Sequence, residues 1–354
     1  MVKLTCPHVN QEPIMPKKCP LCKRRNLAVH QTLRESLKDS VVKKITIKRI
    51  KCKDCHYTFR VYPEGVKGYT RRSKRLVFLG VILYLAGLSF ERCEWFLEGM
   101  LGKKLQDSVT IWRDIQNLGE KLRRRILFFP RRRRQKEKAT VGMDGFYLKV
   151  KGEKTPFLLA TNTKEGLTIW FGVKDEKKAK EVKQALKEIA KLCEVEALVT
   201  DDWEPFKEPI EQEKIPHQVC LAHMKKNMMR RIKRLGNKTP GEIKETLLAL
   251  VNNPQPPGEE TLRRLGKQEF FWTKEGVKAR EVLASLLRKW RTYTLYVQNK
   301  HIPSTNNVTE RAILPTKIRS RLTRGLKSIN GALNFVTTTQ FFGMQRFAEI
   351  AACC

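Results

Sequence analysis

Three carboxylates, Asp144, Asp201 and Glu310, stand apart from the other acids of a chain whose net charge is +36. Each sits in a short apolar or polar-turn context instead of a solvated charge run, which is where a buried or metal-bound acid belongs. Such a group of acids can serve phosphodiester chemistry. In-line attack on phosphorus needs the attacking oxygen activated and the leaving oxygen stabilised, and two divalent ions about 4 Å apart do both when carboxylates hold them. Hard ions such as Mg2+ or Mn2+ take oxygen ligands, and in a strongly basic chain an acidic cluster is costly unless cations fill it.

The elements that must position these acids can be read around them. Asp144 lies within Ala139 to Val150, a strand by its β-branched and aromatic content. Asp201 ends the apolar run from Glu196, and Asp202 beside it leaves a choice of which neighbour carries the chemistry. We favour Asp201, whose side chain should project from the strand's tip. Glu310 follows Ser304-Thr305-Asn306-Asn307, residues able to cap a helix, so it falls in that helix's early turns. Further strands are expected at 156–161 and 167–173, then an amphipathic helix over 176–193, a strand to Asp201, a helix, a strand over 217–221 and a helix to Leu235. This order describes an α/β sandwich around a mixed sheet. Residues 239–303 read as an all-helical insertion, broken at Pro254-Gln255-Pro256-Pro257-Gly258, which separates the third acid from the second.

Composition narrows the function class. At 354 residues the chain predicts two or three domains. Lysine and arginine total 72 against 36 acids and are spread from Lys17 to Arg346, so nucleic acid is the natural partner. The longest apolar stretch, Leu76 to Leu88, is too short to span a bilayer and is interrupted by Gly80 and Gly87, and the N-terminus lacks a signal-like apolar core. The expected location is cytoplasmic, and the ten cysteines read as metal ligands or buried thiols before disulfides.

Cys19-Pro20-Leu21-Cys22 and Cys52-Lys53-Asp54-Cys55 are two C-x-x-C pairs, the spacing of a four-thiolate zinc ribbon with a β-hairpin arm. Buried thiols without metal are the alternative. Cys6 and His8 have no matching pair nearby. From Ser89 to Arg113 two helices separated by Gly99 to Gly102 outline a helix-turn-helix whose second helix offers Ser108, Thr110 and Arg113 to a major groove; a plain helical hairpin has the same outline. Arg71-Arg72 and the run Arg131, Arg132, Arg133, Arg134 can clamp phosphate or simply be solvated. Phe129-Pro130 and that arginine run mark a linker. The expected partition is 1–66 zinc ribbon, 67–134 helical DNA-binding domain and basic linker, and 135–354 catalytic domain.

Together Met143-Asp144-Gly145, Val199-Thr200-Asp201, Cys220-Leu221-Ala222-His223 and Asn306-Asn307-Val308-Thr309-Glu310-Arg311 resemble the motifs of a DDE transposase of the insertion-sequence and Mutator-like kind. The resemblance covers residues 139 to 342, and the zinc ribbon and helix-turn-helix upstream complete the layout. It implies an RNase H-like catalytic domain within a multidomain α/β protein, a metal triad of Asp144, Asp201 and Glu310, and a C-x-x-H marker near the site. Cys220 and His223 suit packing or hydrogen bonding better than zinc, His217 lies on the polar phase of its strand, and Cys353-Cys354 carries no argument. The implied activity binds double-stranded DNA at the ends of a mobile element, cuts a strand and joins the exposed 3′ hydroxyl to target DNA, as a homodimer or higher oligomer on DNA in a prokaryotic-type nucleoid. Two alternatives stay open: a non-catalytic, domesticated DNA-binding protein, and a nuclease that cuts without joining.

Overall fold

Alternation, capping and turn residues set the elements, which the computed structural model describes over residues 6–68, 70–128, 137–237, 239–255, 258–323 and 325–354, with backbone alone at 126–128. The chain divides into two compact units, Met1–Arg125 with Ile318–Cys354, and Ile126–Lys317.

In the first unit β1 (Leu27–Ser36), β2 (Lys44–Cys52) and β3 (Thr58–Val61) form an antiparallel sheet in that order, and β4 (Val66–Lys67) pairs with β5 (Arg72–Ser73). Its sheet core is small, built on Val9, Leu37, Val42, Ile45 and Ile47. Three helices follow, α1 (Lys74–Leu85), α2 (Phe90–Leu101) and α3 (Ser108–Phe128). Side-chain oxygens cap all three: Ser73 Oγ accepts the Leu76 N–H at 2.9 Å, Ser89 Oγ the Arg92 N–H at 3.2 Å and Asp107 Oδ1 the Thr110 N–H at 2.6 Å. Gly102, at φ +66°, ends α2 in the left-handed conformation that glycine adopts without strain. The apolar stripe Ile111, Ile115, Leu118 and Leu122 is buried, as its spacing predicts.

The second unit opens with β6 (Lys138–Val150), β7 (Glu153–Asn162) and β8 (Leu167–Gly172), then α4 (Ala179–Ala190), β9 (Glu194–Thr200), α5 (Glu204–Gln212) and β10 (His217–Val219). These make a five-stranded mixed sheet of order β10-β9-β6-β7-β8. β6, β7 and β8 are an antiparallel meander, while β9 and β10 run parallel to β6. Lys151 (φ 52°) and Gly152 (φ 90°) make the tight turn between β6 and β7. Val141 and Met143 of β6 join Val182, Leu186 and Ile189 of α4 in one core, so α4 covers that face. The chain continues through α6 (Leu221–Lys233), α7 (Gly241–Asn252), α8 (Gly258–Leu265), α9 (Val277–Gln298) and α10 (Asn307–Arg321). The insertion is all-helical among its described residues, and Met228, Ile232, Leu247, Leu262, Leu286, Trp290 and Tyr293 share its core. Gln218 of β10 ties α9 to the sheet by donating to Tyr293 O (3.2 Å) and accepting the Tyr296 N–H (2.9 Å).

The last helices, α11 (Ile329–Gly343) and α12 (Phe347–Cys353), pack with the first unit, where Lys121 Nζ donates to Cys353 O at 2.7 Å. This differs from a partition that runs 135–354 as one piece. No described helix is long and apolar enough to cross a membrane.

Candidate active site

A parallel ladder fixes the spacing of the first two acids. β9 pairs with β6 as far as Val199 opposite Gly142 and ends at Thr200. Carried two residues further, that register sets Asp201 opposite Asp144, on the same sheet face because side chains alternate. β6 continues past the end of β9, so its edge is open where Asp144 stands. Burial, then the Asp201 charge, push the Asp144 carboxyl up to about 7, with Lys317 acting in the opposite sense and Glu176 adding to the rise.

The same sheet face receives α10. Asn306 Nδ2 donates to Met143 O at 2.8 Å, and the Thr309 hydroxyl meets that of Thr161 at 2.8 Å. Gly142 permits this approach, since a Cβ there would lie 2.1 Å from Thr309 Oγ1. Thr309 is fully buried, whereas Glu310, the next residue and about 100° further round the helix, is exposed in the first turn. The structure therefore brings Asp144 and Asp201 together and holds the Glu310 backbone close by, with its carboxylate outside. Among the described residues, Asp144, Asp201 and Glu310 do not gather their oxygens within 4.8 Å of one another.

The adjacent acids at the end of β9 diverge. Asp202 accepts from Lys289 Nζ at 2.6 Å and Tyr293 Oη at 3.3 Å, and its side chain is 5% exposed. Asp201 Oδ1 instead lies 3.0 Å from His223 Nδ1. Both atoms are buried and face each other as an ion pair. The Asp201 carboxylate and then Cys220 raise the His223 imidazole to about 10. Cys220 caps the start of α6, and its sulphur accepts the Asn306 N–H at 3.3 Å. Asp201, Cys220 and His223 thus have ligand atoms within 4.8 Å of one another. His217 is spent on Thr200, with Nε2 2.9 Å from its hydroxyl, and burial lowers its pKa to about 4.

Sequence reasoning missed Glu176, on the segment between β8 and α4. Burial, then the Asp201 charge, raise its carboxyl. Asp175-Glu176-Lys177-Lys178 reads as a solvated charge run, and only Gly145, one residue beyond Asp144, hints at a close neighbour.

In the first unit Cys19, Cys22, Cys52 and Cys55 gather their sulphurs within 4.8 Å. Cys19 and Cys55 are 3.7 Å apart, and Cys22 and Cys52 3.6 Å. The residue after each C-x-x-C, Lys23 (φ 63°) and His56 (φ 58°), is left-handed, which turns the chain back to present both sulphurs. Burial opposes ionisation of Cys19, yet the N–H groups of Cys22 and Leu21 and the neighbouring thiols bring it down to about 7. Cys6 is exposed and stands outside this cluster.

Of the candidate phosphate contacts, Arg113 is exposed on α3, with Ser108 and Thr110 half-buried. Thr110 and Arg113 line a cleft of about 650 Å3 with Lys38, Lys67, Arg72 and Lys104. Arg72 spends its guanidinium on buried Asp114, at 2.5 and 3.1 Å, and Arg71 pairs with Glu35 at 2.9 Å. Arg131, Arg132, Arg133 and Arg134 lie outside the described residues.

No curated protein matches the chain. The family model described as the Transposase IS66 family matches residues 76–334. That span holds Asp144, Asp201, the Cys220 and His223 pair and Glu310, and it covers well over half of the sequence, so the chain belongs to the IS66 family of transposases.

Proposed function

We propose that the second unit is an RNase H-like catalytic domain that cuts and joins DNA strands with divalent cations held by Asp144, Asp201 and Glu310. The observation that carries this reading is the pair Asp144 and Asp201 at the open edge of β6, inside a chain of a transposase family. An antiparallel meander followed by two parallel strands on its first member supports the fold assignment.

The donor set fits a hard cation. Burial and the Asp201 charge oppose ionisation of Asp144 and Lys317 offsets them only in part, so a cation bound beside it would favour the ionised carboxylate. Asn306 Oδ1 is buried beside Gly142, on the Asp144 face of β6, without a hydrogen-bond partner. A divalent ion bound there supplies charge to activate an attacking oxygen and to stabilise the one that leaves. The protein's own contribution is placement. β6 and β9 fix the two aspartates, α10 is pinned beside them through Asn306 and Thr309, and Glu310 joins them by turning its side chain inward from the first turn. Lys289 and Tyr293 hold Asp202 away, so the middle ligand is Asp201.

The four cysteines fit a structural Zn2+ that leaves no open position for catalysis. With α2, α3 and the basic cleft they form the part that grips element ends, and strand transfer between paired ends calls for at least a homodimer on DNA in the cytoplasm. The test is incubation of purified protein with element ends and target DNA, with and without Mg2+. Cleaved ends and covalently joined strands are expected from the native chain and neither from Asp144→Ala. Cleavage without joining would instead identify a nuclease, and unchanged cleavage by Asp144→Ala would remove the catalytic reading.

A further inference from the structure

We infer that Glu176 is a further carboxylate ligand of the cation site at Asp144 and Asp201, an inference that rests on reading that pair as the site. Glu176 belongs to none of the motifs that mark the aspartates. It reaches them because β8 ends beside β7 and the chain crosses to α4 on the side where β6 has lost β9 as a neighbour. The connecting turn is held by Glu181, whose Oε2 accepts the Asp175 N–H at 2.6 Å, and by Asp175, whose Oδ1 accepts the Lys177 N–H at 3.0 Å.

Its carboxylate occupies the space that a side chain at residue 145 would fill. A Cβ on Gly145 would lie 2.3 Å from Glu176 Cδ and Oε2 and 2.9 Å from Oε1. The N–H of Gly145, which Asp144 Oδ1 accepts at 2.8 Å, also faces Glu176. One peptide group therefore stands between the two carboxylates. The Glu176 charge opposes ionisation of Asp144, and the Asp201 charge opposes ionisation of Glu176.

A half-buried glutamate beside two aspartates is repelled by both. The nearest basic residue in sequence, Lys177, reaches over the Tyr147 ring at 5.7 Å and only weakly offsets that repulsion. Asn306 is 0% exposed, and its Oδ1, over Gly142 on the Asp144 face of β6, has no hydrogen-bond partner. This marks an unsatisfied polar position beside the aspartate, while Glu176 approaches from the face to which residue 145 points. Negative charge from three elements, with an unpartnered amide oxygen, suits a cation with hard oxygen ligands. Glu310 is exposed, whereas Glu176 is half-buried beside Gly145. The oxygens of Glu176, Asp144 and Asp201 do not all lie within 4.8 Å of one another, so a shared ion would draw the three carboxylates closer.

The test is Mn2+ titration of the full-length protein, with its zinc sites filled, followed by the electron paramagnetic resonance signal of the free ion. Glu176→Gln should weaken the tightest Mn2+ site by at least about tenfold, and Glu310→Gln should weaken that site less. Thermal melting gives a second readout. Without metal, Glu176→Gln should melt above the native chain, because one of three repelling charges is gone, and it should gain less from added Mn2+. Native-like Mn2+ affinity in Glu176→Gln beside weakened binding in Asp144→Asn would overturn the assignment of Glu176 alone. Unchanged binding in Asp144→Asn as well would overturn the reading of the aspartate pair.

Discussion

Lys289 Nζ lies 2.6 Å from Asp202 Oδ1, so the helical insertion takes hold of one of two consecutive aspartates and leaves the other to the site. The two must respond differently to removal of charge. Asp202→Asn leaves the Lys289 ammonium half-buried without its partner and should destabilise the fold by about 3 kcal/mol, with metal binding retained. Asp201→Asn should abolish metal-dependent cleavage. Urea denaturation and Mn2+ titration of both variants check the division, and loss of metal binding in Asp202→Asn with retention in Asp201→Asn would reverse it.

That division also marks what the sequence could yield. Asp144 and Asp201 are legible because each interrupts or ends an apolar strand, and the insertion is legible from its helical spacing. The choice between Asp201 and Asp202 depends on Lys289, far along the chain in α9, and no local pattern encodes it. Glu176 is hidden for a related reason: its four-residue neighbourhood is charged, and its burial comes from Gly145. The helix expected from residue 176 starts only at Ala179, since the turn around Asp175 precedes it. Arg72 reads as a phosphate contact until Asp114, on the buried face of α3, is seen to hold its guanidinium. The Cys220 and His223 spacing is visible in sequence, but the approach of His223 to Asp201 is a property of the fold.

Gly142 and Thr309 make a second coupled pair. A Cβ at residue 142 would collide with Thr309 Oγ1 at 2.1 Å, and both positions are buried. Gly142→Ala should cost about 2 kcal/mol through overpacking and lower cleavage by moving α10. Adding Thr309→Ala should recover part of both losses, which a double-mutant cycle measures; strictly additive effects would argue against the contact.

The zinc module should depend on its metal. Its sheet core is small, and the four sulphurs are already gathered, so zinc binding contributes folding free energy there. One zinc per chain is expected by elemental analysis, with Cys22→Ser lacking it and becoming protease-sensitive between residues 19 and 61. A zinc-free native protein with the same protease resistance would contradict this.

His217 gives the pH dependence a sign. Burial holds its folded pKa near 4, below the usual 6.5. The unfolded chain therefore binds the extra proton first, so stability rises with pH between about 4 and 6.5 and is lost as pH falls through that window. His217→Gln should flatten that part of the profile in denaturation measured from pH 4 to 7, and a native-like slope in the variant would assign it to other groups.

The central claim is that Asp144 and Asp201 form the cation site where strands are cut. Its most direct test is the single-turnover rate of Mg2+-dependent cleavage at the element's own ends, compared between the native chain and Asp144→Asn under conditions where both bind the DNA equally. A loss of at least about a thousandfold is expected, because charge stabilisation at the reacting phosphate is removed while binding is not. Equal rates in the two proteins would contradict the account.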